Sequence, residues 1–249
     1  MDTARTPDPA PLVLVPGHWL GAWAWDEVTA HLADRGVTGR AVTLPGADPD
    51  DPERARRTVE NQAEALRAVV EREASGTGPV VLVAHSGANL PATLLLDRRP
   101  DLVARVVWVD SGPVGDGTVF APDLPGDLHE LELPPLEVLG AQASLDGLDE
   151  AALARFRERA VPVPGPVLRS PTRLTDPARR QVPATFVCCS IPARQVRSMA
   201  QAGHPMMAEV AALTDVTMLD LPTGHWPMWS RPADLAEILA GCATRTSPP

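Results

Sequence analysis

Apolar residues in this chain gather in short, almost unbroken runs set between longer stretches of mixed character. Leu12-Val13-Leu14-Val15, Val80-Val81-Leu82-Val83-Ala84, Val106-Val107-Trp108-Val109 and Ala184-Thr185-Phe186-Val187-Cys188-Cys189 show little of the polar alternation of a half-exposed strand. Such runs predict strands buried on both faces, within segments 79–84, 105–110 and 184–189 for the last three. Two further strands are expected at 39–44 and 216–219. Between them the spacing becomes helical: over 58–74, Val59, Ala63, Leu66 and Val70 share one face. Helices are also expected near 24–35, 87–98 and 232–242, the last with Pro232 at its start. This alternation predicts an α/β protein with a mostly parallel sheet and helices on both faces.

The alternation lapses from 112 to 182. That stretch is rich in Pro, carries Asp123, Asp127, Glu130, Glu132 and Glu137, and contains one clear helical pattern, at 149–159. It is too long for a simple loop. Because the strand pattern resumes where it stopped, the expectation is one core (1–111 and 183–249) carrying an inserted lid (112–182). No internal repeat is present.

Composition narrows the class. A chain of 249 residues is long enough for one α/β domain with an insertion. No apolar run reaches the ~20 residues that span a bilayer. Residues 1–9 are polar and Pro-rich, without the cationic and apolar segments of an export signal. The expectation is a cytoplasmic protein without a membrane partner. A formal net charge of -10 argues against nucleic acid as a partner. All 22 basic residues are Arg, which removes Lys as a catalytic base or Schiff-base former. Cys188, Cys189 and Cys242 are odd in number and two are adjacent, a pattern that fits buried thiols better than a disulfide framework or a zinc site. Neither a phosphate-loop Lys nor G-x-G-x-x-G occurs. No metal and no cofactor are expected, and the partner is a small-molecule substrate.

The chemistry starts at Ser86. Its strand ends in Ala84-His85-Ser86-Gly87-Ala88 and turns at once into a helix. This has the shape of a nucleophile elbow, G-x-S-x-G, in which a strained strand-to-helix turn leaves no room for side chains two residues either side of the Ser. Here both flanks are Ala. Far downstream, Thr223-Gly224-His225-Trp226-Pro227 precedes the last helix and offers His225 as a base; Ser early and His last is the order of one superfamily. The plainer reading of Ser86 is a serine in an ordinary βα turn.

On these residues the chain resembles the α/β-hydrolase superfamily over nearly its whole length. Val13-Leu14-Val15-Pro16-Gly17-His18-Trp19-Leu20-Gly21-Ala22-Trp23-Ala24-Trp25 is similar to V-L-V-H-G-A-W-H-G-A-W-C-W of its small esterase and hydroxynitrile-lyase-like branch, which includes plant methyl-ester hydrolases. Leu44-Pro45-Gly46 and the closing Thr223-Gly224-His225-Trp226-Pro227-Met228-Trp229-Ser230 match that branch too. The resemblance implies the α/β-hydrolase fold, Ser86 as nucleophile, His225 as general base, and an oxyanion hole from the backbone amides of His18 and Gly87.

The chain also departs from the branch. Pro16 stands where it has His, and His18 stands where it has a small residue, projecting an imidazole at the mouth of the site. Its usual acid follows the strand that ends here at Cys189, but Ser190-Ile191-Pro192 occupies that place and no Asp or Glu occurs from 181 to 208. Asp110, at the carboxyl end of the strand after the elbow helix, is the substitute the superfamily allows, or else it caps a neighbouring turn. Asp215 and Asp220 are weaker substitutes. Trp19 and Trp226 are expected in the substrate pocket or, as plainly, in the core. His85 reads as structural, and His31, His129 and His204 as solvated.

Three functions fit: a serine hydrolase cleaving a small ester or thioester through an acyl-enzyme; a lyase or cyclase in which Ser86 and His225 move protons without one; or a ligand-binding protein that retains the pocket. The sequence carries no signal for oligomeric state.

Overall fold

The computed structural model describes residues 9–244; the polar segment 1–8 and residues 245–249 lie outside it. In chain order, β1 (Leu12–Val15) leads through a 3-10 turn (Ala22–Trp25) to α1 (Asp26–Ala33) and β2 (Gly39–Ala41). There follow α2 (Val59–Ala74), β3 (Val80–His85), α3 (Asn89–Arg98) and β4 (Val103–Val109). Then come β5 (Glu130–Leu131), α4 (Leu136–Gln142), α5 (Glu150–Arg159), β6 (Val163–Pro164) and α6 (Gly165–Arg169). The chain continues with β7 (Ala184–Cys188), α7 (Ala193–Gln201), α8 (Ala208–Ala211), β8 (Val216–Asp220), α9 (Pro227–Ser230) and α10 (Pro232–Thr244).

The main sheet has six strands in the order β2-β1-β3-β4-β7-β8, every neighbouring pair parallel. Period-two alternation inside the apolar runs sorts side chains onto two faces. Leu12, Leu14, Val81, Val83, Val107, Val109 and Val187 join one core with α1 and α10. Val13, Val15, Val80, Leu82, Val106, Trp108 and Phe186 join another with α2, α3 and α7. Both faces need apolar residues, which is why the strands read as runs.

The helix over 58–74 is capped at Thr58, whose hydroxyl accepts from the Asn61 amide while the Asn61 side chain accepts from the Thr58 amide. The strand expected at 39–44 is shorter, Gly39–Ala41, because β2 is an edge strand whose chain turns away once past its pairing with β1. The helix α7 lacked a sequence expectation, although Ala193, Val196, Met199 and Ala200 all pack on the core. Cys188 and Cys189 are buried free thiols, and burial pushes the Cys188 pKa up to about 11; Cys242 is buried as well. No helix among the described residues is long and apolar enough to cross a membrane.

Between β4 and β7 the chain forms three helices and the antiparallel pair β5–β6 rather than one helix alone. It is packed on the sheet domain at two places. Leu139, Ala152 and Phe156 enter the α1/α10 core, and Val163, Val167, Leu168 and Leu174 form a third cluster with α2 and α3. Its return to β7 is held by a buried ion cluster: the Asp97 carboxylate accepts from the amides of Thr175 and Asp176 and from Arg179, which also reaches Glu209.

Candidate active site

Ser86 follows β3 with φ +51, a left-handed conformation that a non-glycine residue adopts only when its surroundings impose it. The chain must reverse here from strand to helix within one residue. Gly17 lets β1 pass close by, since a β-carbon on it would lie 2.7 Å from the Ser86 Cβ. Ser111 donates its hydroxyl to the Ser86 carbonyl at 2.8 Å. The flanking Ala84 and Ala88 are accommodated, their methyls buried in the α2/α3 core.

His225 Nε2 lies 2.8 Å from Ser86 Oγ, and His225 Nδ1 lies 2.7 Å from Asp110 Oδ2. The carboxylate can only accept, so Nδ1 carries the proton and Nε2 is free to take the hydroxyl hydrogen. The structure thus brings Ser86, His225 and Asp110 into one hydrogen-bonded line. Asp110 also has a left-handed φ, +42, just past the end of β4.

The segment after β7 supplies donors to that carboxylate instead of an acid of its own. Asp110 Oδ1 accepts from the amides of Cys189 (3.1 Å) and Ser190 (2.9 Å), and Oδ2 accepts from the Ser190 hydroxyl (2.6 Å). Burial alone would raise the Asp110 pKa; the hydrogen bonds from His225 and Ser190 outweigh it and hold the group below the usual carboxylate value. Ser190 went unread as a site residue, although its signal was present: a hydroxyl at the very place where the resemblance expects an acid. Asp220 instead caps α7 through the Ala193 amide, at 2.7 Å.

His85 and the insert fix the His225 loop from two sides. His85, fully buried, lies 2.7 Å from the His225 carbonyl through Nε2. A carbonyl only accepts, so the His85 proton sits on Nε2. Burial and the neighbouring His225 push its pKa down to about 3, and the ring stays neutral. On the other side the amides of Gly224 and His225 donate to the carbonyls of Asp146 (3.0 Å) and Ser144 (2.7 Å). A β-carbon on Gly224 would lie 2.6 Å from both carbonyl oxygens, which explains the glycine of the T-G-H motif. Thr223 and Ser230 of the same motif share a hydrogen bond at 2.7 Å.

The remaining expected residues divide. Gly87 and His18 meet, the His18 ring lying on the space where a Gly87 β-carbon would be. Trp19, at φ +66, donates Nε1–H to the Leu131 carbonyl and, with His18, Gly87 and Gln62, lines a cavity of about 20 Å³, enough for one water. Trp226 corrects its expectation as a pocket wall. It is 2 % exposed and packs edge-on against His225 (4.9 Å between centroids) and Phe156 (5.3 Å), so it backs the imidazole from the core. His204 is an exposed cap whose Nδ1 accepts from the Met206 amide.

Residues 12–238 match the alpha/beta hydrolase family. A pyrethroid hydrolase of Sphingobium wenxiniae is 25% identical over 93% of this chain and 87% of its own length. Methylesterase 4 of Arabidopsis thaliana is 31% identical over 45% of this chain, and that match spans only 40% of the plant protein. Among solved structures, an extracellular alpha/beta-hydrolase from a Paenibacillus species superposes with a TM-score of 0.73 over 95% of this chain and 100% of its own, at 19% identity.

Proposed function

The chain belongs to the alpha/beta hydrolase family, and on that premise we propose that it hydrolyses a small-molecule ester through an acyl-enzyme on Ser86. The observation that carries this reading is the unbroken line from Ser86 Oγ through His225 to Asp110. The names methylesterase and esterase among its sequence relatives support an ester as the bond cleaved.

In the proposed reaction His225 Nε2 takes the proton of Ser86 as Oγ attacks the ester carbonyl carbon. Asp110 keeps the imidazole in the Nδ1–H tautomer and stabilises the imidazolium that forms. The oxygen of the tetrahedral intermediate faces the amides of His18 and Gly87, the second at the start of the turn into α3. Collapse expels the alcohol, which takes the proton from His225 Nε2, and leaves the acyl group on Oγ. A water then repeats the sequence, its proton passing to His225 and back to Ser86 as the acid departs.

Asp110 against His225 supports the hydrolase over a proton-shuttling lyase or cyclase, because it offers the carboxylate that the segment after β7 lacks. Residues 112–182 act as the lid of this site in the same reading, supported by contacts of Phe120 with His18 and of Ser144 with His225. The test is intact-mass labelling by a fluorophosphonate together with turnover of short acyl nitrophenyl esters, for the wild type and Ser86→Ala. Labelling and turnover confined to the wild type are expected. An unlabelled, folded, inert wild type would overturn the reading.

A further inference from the structure

The reaction above uses the backbone of His18 and leaves its imidazole idle. Yet the ring is built into the site. A β-carbon on Gly87 would lie 2.4 Å from both Cε1 and Nε2 of His18 and 2.5 Å from Cδ2. Three ring atoms at nearly one distance mean that the imidazole lies face-on over Gly87. Gly87 is not among the residues with positive φ, so its missing side chain serves the ring and not the backbone.

His18 Nε2 is covered and has no hydrogen-bond partner among the described residues. A buried ring nitrogen left unpaired is unfavourable unless a ligand supplies the partner. Phe120 of the insert meets this ring edge-on at 4.3 Å between centroids and is itself 47% exposed. A phenyl ring that exposed is free to be displaced by an entering acyl group. Burial, then the nearby His225, push the His18 pKa down to about 4. The ring is therefore neutral and does not compete for the proton His225 carries; with its hydrogen on Nε2 it is in the state suited to polarising a carbonyl.

We propose that the Nε2–H of His18 is a third donor to the oxygen of the bound acyl group, beside the amides of His18 and Gly87. The inference rests on the serine-hydrolase reading and adds a side-chain catalytic residue to it. With three donors the tetrahedral oxyanion is fully solvated by the protein while Phe120 stands aside.

The test compares wild type, His18→Phe and His18→Gln on a short acyl nitrophenyl ester, and measures inhibition by phenylboronic acid, which adds to a serine hydroxyl as a tetrahedral anion. Loss of one such donor lowers kcat by about 10²-fold, with KM held within about threefold because the contact strengthens in the transition state. Boronic acid affinity falls with kcat in His18→Phe, and the side-chain amide of His18→Gln recovers roughly tenfold of the loss. Unchanged boronic acid affinity, a kcat loss under about threefold, or a Gln variant no better than Phe would overturn the proposal. A wild type that resists fluorophosphonate removes the serine-hydrolase reading and this inference with it; a labelled wild type with an unaffected Phe variant removes the role of His18 alone.

Discussion

The carboxyl edge of the sheet and the insert between β4 and β7 both hold the site, by opposite means. At the sheet edge, Ser86 and Asp110 end neighbouring parallel strands buried on both faces, and their positions follow from backbone pairing. The insert has little regular pairing of its own, two residues on each strand of β5–β6. It is fixed by contacts outward: the Asp97 cluster, Phe156 in the core, Arg54 with Glu130, and Arg159 over Trp23. From there its carbonyls at 144 and 146 set the His225 loop. Ser86 and Asp110 are thus placed by the sheet, whereas His225 is placed jointly by His85 from the sheet and by the insert.

The largest effect that would break the comparison is expected at the sheet edge. Asp110→Asn leaves the fold intact but lets His225 adopt the wrong tautomer, and kcat should fall by ~10⁴; a loss under tenfold in steady-state kinetics would show that the carboxylate is only a strand-end cap. On the insert side, Asp97→Ala leaves the amides of Thr175 and Asp176 without their acceptor and takes from buried Arg179 one of its two carboxylate partners. Denaturant unfolding should show about 3–5 kcal/mol less stability, and an unaffected midpoint would mean that the insert is anchored elsewhere.

Gly224→Ala sharpens the division, because its methyl meets the carbonyls of residues 144 and 146. The His225 loop must shift, and kcat should drop by ~10² while Ser86 stays in place; crystallography of the variant would locate the shift. The response to acid bears on the same division. His18 and His85 have folded pKa values pushed down to about 4 and about 3, below the unfolded value, so the unfolded chain binds more protons in between. Their contribution is fully present above pH ~6.5 and is lost as pH falls toward 3. The urea midpoint should therefore drop from pH 7 to pH 4.5, and less steeply in His85→Phe; equal slopes would show that the drop has another origin. The smallest effect is expected of Arg159→Ala, which removes an exposed cation over Trp23 and should cost only ~0.5–1 kcal/mol, measurable as a small shift in thermal midpoint.

Much of this was legible in the chain. The buried strands, α2 with its face, and the Ser86 and His225 motifs are local signals: runs, periods and glycine positions that restrict the backbone around themselves. The edge strand was read too long because pairing, not propensity, ends it. The helices α4 (7 residues) and α6 (5 residues) are too short to show a period, while α7 does place its apolar residues Ala193, Val196, Met199 and Ala200 toward the sheet and was passed over. Trp226 could be assigned to pocket or core only once its neighbours were known.

The sequence by itself determined the parallel α/β architecture and pointed to Ser86 and His225 as the reacting pair, since each signal is written within a few residues of backbone geometry and hydrophobic alternation. Only the tertiary structure decided that Asp110 is the group beside His225, 115 residues away along the chain, and that Ser190, 80 residues from Asp110, holds that carboxylate. It alone decided too that the insert grips the His225 loop. A hydrogen bond depends on two distant segments meeting within about 3 Å, and no local pattern encodes that meeting.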